Sequence, residues 1–236
     1  YSIHPTAKAL LCQRAEHEFA GVPCGIMDQF ISVLGRRGHA LLIDCRARTA
    51  KAIPMPAEAA VVVIDTGVHH ELAGGEYAKR KATCASAAAK LGVRELRGAT
   101  IHEVGTKQGL LSPEELRCAR HVVTETARAV AAADSLRSGD LAGMGRLMNE
   151  SHCSLRDDYR VSCEELDAAV DAATQLPGVF GARMTGGGFG GCAIALTTRE
   201  SGPGLVEQIA ASYCRRFGRS CHVWTVTASE GARPIR

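Results

Sequence analysis

The chain of 236 residues contains no C-x-x-C, no cysteine–histidine spacing suited to zinc and no block of like charge. It has no apolar run of membrane-spanning length, and nothing at its start reads as a signal peptide. These absences exclude a zinc module, a charged tail and a helical membrane span, and they leave the cytoplasm as the default location. Net charge is also scarce: 28 basic against 25 acidic side chains give +3, too little to imply nucleic acid or an anionic membrane as partner. Aromatic residues are sparse at 4%, within a composition otherwise ordinary for a globular protein. Ten cysteines without ligand spacing read as buried free thiols of a reducing compartment. Cys12, Cys45, Cys84 and Cys192 sit inside apolar helical or strand patterns and set that expectation. The sequon Asn149-Glu150-Ser151 is then a chance match.

What is abundant is glycine in one place. "RMTGGGFGGCAIAL" has five glycines in the six positions from Gly186 to Gly191, interrupted only by Phe189. Glycine costs ordering entropy, so such a cluster needs a tight turn, positive φ angles or a close neighbour. Gly186, Gly188 and Gly191 satisfy G-x-G-x-x-G, but that dinucleotide fingerprint must be followed by a helix. Here Cys192 to Thr197 reads as a buried strand, which leaves a glycine loop between two strands, near a substrate.

Periodicity places the other elements. A helix starts near Pro5, with Ala7, Leu11, Ala15 and Phe19 every fourth residue, and stops at Gly21-Val22-Pro23. A second runs from about 24 to 34. Strand-like runs at 39–45 and 60–65 are separated by the Pro54-Met55-Pro56 loop. Helices follow at about 77–91, 113–137, 140–152 and 162–175. The end reads as strand (181–184), glycine loop, strand (192–197), helix (204–217) and strand (221–227). Helices between two β-containing regions make an α+β fold with helices on one face of an antiparallel sheet.

On a helical wheel of Pro23 to Gly35, Ile26, Met27, Phe30, Ile31, Val33 and Leu34 form one apolar arc, with Asp28, Gln29 and Ser32 opposite. Asp28 falls in the first turn, where free N–H groups and the helix dipole favour a carboxylate. By the residues alone, Asp28 supports the helix start, Glu16 is a solvated helix residue and Tyr77 packs at a helix start.

A resemblance extends those readings. "AEHEFAGVPCGIMDQFIS" (Ala15–Ser32), "HALLIDCR" (His39–Arg46), "GRLMNESHCSLRDDYRVSCEELD" (Gly145–Asp167) and "GARMTGGGFGGC" (Gly181–Cys192) closely resemble the galactokinases of the GHMP kinase superfamily. The resemblance runs in order through essentially the whole chain. It implies transfer of the γ-phosphoryl group of Mg-ATP to the C1 hydroxyl of α-D-galactose, with Mg²⁺ and ATP as the cofactors. It implies a GHMP-like two-domain fold, with residues 1–46 closing an N-terminal ATP- and sugar-binding domain and 47–236 forming a C-terminal α+β domain. It implies Asp28 as catalytic aspartate, Gly25 and Tyr77 as sugar contacts, Glu16 as the magnesium-associated glutamate, and Gly186, Gly187 and Gly188 beside the phosphate site.

The family's N-terminal signature and its glycine-serine phosphate loop do not occur in these residues, and no G-x-x-x-x-G-K-[ST] replaces them. The chain reads as the C-terminal portion of such a kinase, inactive without the missing segment and a monomer at full length. The alternatives are a non-catalytic galactose- and ATP-sensing regulator of the same fold, and a kinase for N-acetylgalactosamine or another sugar. Asp157-Asp158 reads as structural, because adjacent helical residues point about 100° apart. His69-His70-Glu71 lacks zinc geometry and reads as a solvated turn, and Arg156 and Arg183 are indistinguishable from surface arginines.

Overall fold

The computed structural model describes residues 3–21, 24–69 and 73–233, which fall into two compact units. The first comprises Tyr1–Ala57, Leu136–Gly139 and Thr227–Arg236; the second comprises Glu58–Ser135 and Asp140–Val226.

The second unit is organised by strand β3 (Ala59–His69), where a run of β-branched residues favours the extended chain. Val62, Ile64, Thr66 and Val68 are buried and alternate with less covered neighbours, the period of two expected of a strand covered on one face. Around it lie β4 (Val179–Met184), β5 (Gly190–Thr198) and β6 (His222–Val226), in the order β4-β5-β3-β6 and antiparallel throughout. Helices α7 (Glu164–Thr174) and α8 (Gly202–Phe217) lay Leu166, Val170, Ile209 and Tyr213 on this sheet to build the main core. The Tyr213 hydroxyl, deep in that core, donates to Thr66 O at 3.3 Å, so its polar end is not stranded.

Helices α3 (Ala73–Leu91), α4 (Ile101–Thr106) and α5 (Pro113–Ser138) close a smaller core around Ala87, Leu91, Val104 and Ala119. The start of α5 is a capping box: Glu115 N–H donates to Ser112 Oγ at 3.2 Å and Ser112 N–H to Glu115 Oε2 at 2.7 Å. Ser86 Oγ and Lys90 Nζ of α3 add bonds of 2.6 Å each to the same carboxylate, tying the two helices together. Held by Lys90 first, then Ser86 and the Ser112 N–H, the Glu115 carboxyl is pulled down to about 2. A depressed carboxyl stabilises the fold above its unfolded value and stops doing so as pH falls toward the folded one. Glu115→Gln is therefore expected to cost on the order of 1–3 kcal/mol at pH 7. The gap to the parent should shrink as pH drops from about 4.5 to about 2, which thermal melts at several pH values would measure. A gap independent of pH would remove the charge from the account.

Strand β4 is an edge strand, and α6 (Leu141–Ser154) guards it. Asn149 Oδ1 accepts from Ala182 N at 2.8 Å, filling a ladder position that would otherwise be open. Asn149 thus has an internal duty. The helix approaches β4 so closely that a Cβ on Gly145 would lie 2.1 Å from Phe180 O, and one on Gly181 2.0 Å from Gly145 O.

The first unit holds α1 (Pro5–Glu18), α2 (Met27–Leu34) and a hairpin of β1 (His39–Asp44) and β2 (Thr49–Pro54), paired from His39↔Pro54 to Asp44↔Thr49. The segment after β6 returns to this unit. Gly231 N–H donates to Gly35 O at 2.9 Å, Ala232 N–H to Ser32 O at 2.6 Å, and Gly38 N–H to Ala228 O at 3.1 Å.

The α+β layout and the antiparallel sheet agree with the sequence reading. Strand β2 departs from the sequence reading: residues 49–54, between the two expected strands, pair with β1. In α1 the four-residue repeat is not a buried stripe, because Leu11 and Phe19 are 46% and 89% exposed and the buried position is Ala9. The cysteines also depart from expectation. All ten lie outside any disulfide, but Cys118 alone is buried among them, and Cys12, Cys45, Cys153 and Cys214 are exposed. No helix among the described residues is long and apolar enough to cross a membrane.

Candidate functional site

Asp28, Gly25 and Glu16 belong to the first unit, the glycine turn and Tyr77 to the second. In the first unit, two side chains of α1 anchor the approach to α2. Gln13 Nε2 donates to Cys24 O at 3.3 Å, and His17 Nε2 lies 2.9 Å from the same oxygen. The chain then passes through exposed Gly25, and α2 begins with Asp28 in its first turn, exposed to solvent.

Phe30 is the buried centre of α2, flanked by half-buried Gln29 and Val33, while Met27 and Ile31 are 54% and 42% exposed. The covered face is thus rotated from the wheel's arc toward Gln29, whose Nε2 contacts Cys24 Sγ at 3.6 Å. The helix start has no side-chain cap, its N-cap being Ile26, so Asp28 is not a capping residue. Asp28, Ile31, Ser32 and Gly35 line a cleft closed by His39 and residues 228–232. Glu16, one residue before the anchoring His17, is exposed on α1. As an exposed single carboxylate it offers one oxygen ligand, and magnesium is commonly held by one or two carboxylates with substrate phosphates and water. No group of three or more His, Cys, Asp or Glu suited to a metal occurs among the described residues.

In the second unit β4 and β5 are joined by the turn from Thr185 to Phe189. Gly186, Gly188, Gly190 and Gly191 have φ of +82°, +89°, +120° and +81°, a region that side chains with a Cβ rarely enter. Phe189 sits there as well, at φ +59°, and its N–H donates to Val161 O at 2.7 Å. A Cβ on Gly188 would lie 2.2 Å from that same Val161 oxygen. Thr185 N–H donates to Cys192 O at 2.9 Å and Thr66 Oγ1 to Gly191 O at 2.8 Å, so the base of the turn is held on both sides. Its tip is open: Gly186 and Gly187 are exposed, and a Cβ on either would meet nothing within 4 Å. Successive backbone N–H groups in such a turn suit an anion.

Polar residues behind β4 brace the turn. His152 of α6 accepts from Met184 N at 3.3 Å through Nδ1, while its Nε2 lies 3.3 Å from Asp167 Oδ1. Burial pushes the Asp167 carboxyl up, but the contacts from His152 and from Ser162 at 2.5 Å outweigh it and hold the group below the ordinary range. Arg183 is paired with Glu125 at 3.1 Å and Arg156 with Asp157 at 2.8 Å. Asp158 lies 3.6 Å from Arg120, so the carboxylate pair is split between two arginines, as a structural role requires. Tyr77 is carried by α3, but its side chain lies outside the described residues, as do His70, Glu71 and the His69 side chain. Sequence reasoning missed Asn149, Thr66 and His152; each acts on a backbone group distant in sequence, and no local pattern marks that.

Residues 132–217 match the family model described as GHMP kinases C terminal. The fold is that of L. major mevalonate kinase in complex with R-mevalonate: TM-score 0.59, 20% identity, 98% of this chain and 60% of that one. The chain carries the GHMP kinase C-terminal region over residues 132–217, and its sequence relatives are galactokinases. It is 47% identical over 230 residues to galactokinase of Homo sapiens, covering 97% of this chain and 58% of that protein. With galactokinase of Chloroflexus aurantiacus it shares 49% over 228 residues, 94% of this chain and 58% of that one. Lactococcus lactis galactokinase complexed with galactose matches in structure with TM-score 0.93 and 29% identity, over 100% of this chain and 62% of that one. The chain spans about 58% of the length of these curated relatives.

Proposed function

We propose that this chain is the greater part of a galactokinase, transferring the γ-phosphoryl group of ATP to the C1 hydroxyl of α-D-galactose. The observation that carries the reading is near 50% identity to galactokinases along nearly the whole chain. An uncapped helix start presenting Asp28 and a turn with an open glycine tip are in keeping with it. Residues 1–46 contribute to the ATP- and sugar-binding domain and 47–236 form the C-terminal domain.

Phosphoryl transfer has a largely loose transition state, so catalysis is mostly positioning and charge stabilisation. Asp28 accepts a hydrogen bond from the C1 hydroxyl, aims its oxygen at the phosphorus and takes the proton late, as the new P–O bond forms. The backbone at Gly25 and the Tyr77 side chain hold the sugar in register. The N–H groups of Gly186, Gly187 and Gly188 face the phosphates, and Glu16 is the magnesium-associated carboxylate. Mg²⁺, when bound, supplies positive charge to the phosphate oxygens.

The test is ADP release by the intact protein that contains this chain, with and without galactose. Galactose-dependent release that stops when magnesium is chelated is the expected result. Tight galactose binding with no ADP release would instead establish a sensor, and release that is greater with N-acetylgalactosamine would reassign the sugar.

A further inference from the structure

The two stems of the glycine turn are tied to one carboxylate oxygen. On the β4 side, Met184 N–H donates at 3.3 Å to Nδ1 of His152, which is only 3% exposed. An Nδ1 that accepts has no proton, so the neutral imidazole holds its proton on Nε2. Nε2 lies 3.3 Å from Asp167 Oδ1 and makes no hydrogen bond elsewhere among the described residues. On the other stem, Phe189 N–H donates to Val161 O at 2.7 Å. Ser162, next in the chain, donates from Oγ to the same Asp167 Oδ1 at 2.5 Å. A circuit therefore runs from Met184 through His152, Asp167, Ser162 and Val161 to Phe189, with residues 185–188 slung between its ends. Two features make the turn sensitive to that circuit. Phe189 sits at φ +59°, where a residue with a Cβ persists only if its surroundings hold it. Val161 O also abuts Gly188, so a shift of the backbone at 161–162 reaches the turn directly.

We propose that Asp167 is a positioning residue for phosphoryl transfer: its Oδ1 fixes both stems of the glycine turn, and with them the N–H groups of Gly186, Gly187 and Gly188 that meet the ATP phosphates. The proposal rests on the kinase reading above. Asp167 acts through His152 on Met184 and through Ser162 and Val161 on Phe189, and it takes no part in bond making. Its effect on ATP has the opposite sign to its charge. A carboxylate repels phosphate, so deleting the charge alone would leave ATP binding equal or tighter. Deleting the brace weakens binding, because loosened N–H groups no longer converge on the phosphate oxygens.

Asp167→Ala and Asp167→Asn are made in the intact protein that contains this chain. ATP affinity is measured by calorimetric titration, KM for ATP and for galactose by ADP release, and exchange of the turn's amides by mass spectrometry with fragmentation. In Asp167→Ala, ATP affinity and KM for ATP should weaken about tenfold, the loss of roughly one hydrogen bond, with KM for galactose held within about twofold. The Met184 and Phe189 amides should exchange about tenfold faster, while Ala182, held by Asn149 outside the circuit, keeps its protection. Asp167→Asn, which keeps an oxygen in place of Oδ1, should recover most of these losses. ATP binding unchanged or tighter in Asp167→Ala would overturn the proposal, and so would an equal loss in Asp167→Asn, which would assign the effect to charge. Should Asp167→Ala not fold, Ser162→Ala opens the Phe189 side alone. It should speed exchange at Phe189 and not at Met184, and no change at Phe189 would overturn the proposal. A parent protein that releases no ADP with galactose would sink the kinase reading, while the ATP titration and the exchange rates would still decide the brace.

Discussion

Asp28→Asn in the intact protein is expected to lower kcat for galactose by ~10²–10⁴-fold, the usual range for a general acid–base group, with sugar affinity changed far less. Asparagine keeps the size and one acceptor oxygen, so the sugar still finds its partner, but it does not take the proton. The competing reading, a carboxylate that merely steadies a helix start, makes a different forecast. It assigns Asp28 about 0.3–1 kcal/mol through the dipole and the free N–H groups, a shift of at most a few degrees in Tm. Because Asp28 is exposed and Ile26 holds the cap position, the fold has little else to lose there. Steady-state kinetics and a thermal melt on the same variant separate the two. Near-parental turnover with a small loss of Tm would take Asp28 out of the chemistry.

Alanine at Gly145 or Gly181 should be among the most destabilising single substitutions in the chain. The added methyl would lie about 2 Å from a backbone carbonyl oxygen in each case, and neither α6 nor β4 can swing that oxygen aside without breaking its own ladder. Overpacking of a tight interior costs about 1–3 kcal/mol and sometimes more, and backbone-on-backbone contact belongs at the top of that range. At roughly 2–4 °C per kcal/mol for a unit of this size, the midpoint should fall by about 10 °C. Gly105→Ala is the control: it lies in α4 with nothing within 4 Å of a new Cβ, so it should be neutral or gain about 0.5–1 kcal/mol. Equal melting temperatures for Gly181→Ala and the parent would mean that α6 sits farther from β4 than described.

Helices α3, α5, α6, α7 and α8 were legible because each is long and periodic, and α5 even announces its start with Ser112 three residues before Glu115, whereas α4 was missed. The same kind of signal at Thr100 and Glu103 marks α4, a six-residue helix too short for any hydrophobic period to show. Strand β2 escaped because Ile53 is its one buried side chain and Pro54 ends it, so nothing alternates. The rotated face of α2 has a different cause. A wheel weighs residues by hydropathy, whereas Gln29 is drawn inward by its contact with Cys24. The glycine turn could be read from composition as a turn with positive φ. Its ligand could not, because open N–H groups look alike whether they meet phosphate or water. Asp28 stood out from its neighbours only through the family resemblance.

The unit that carries Asp28 is discontinuous in the chain, and synthesis on the ribosome must respect that. Its helices and hairpin emerge early, but Ala228, Gly231 and Ala232, which clasp Gly38, Gly35 and Ser32, are translated only after the whole sheet unit has passed. Nascent chains lengthen at about 5–20 residues per second, so the cleft beside Asp28 stays without its clasp for about 10–40 seconds after α2 is made. A translational stall just after β6 would leave all four strands of the sheet made and that cleft still open.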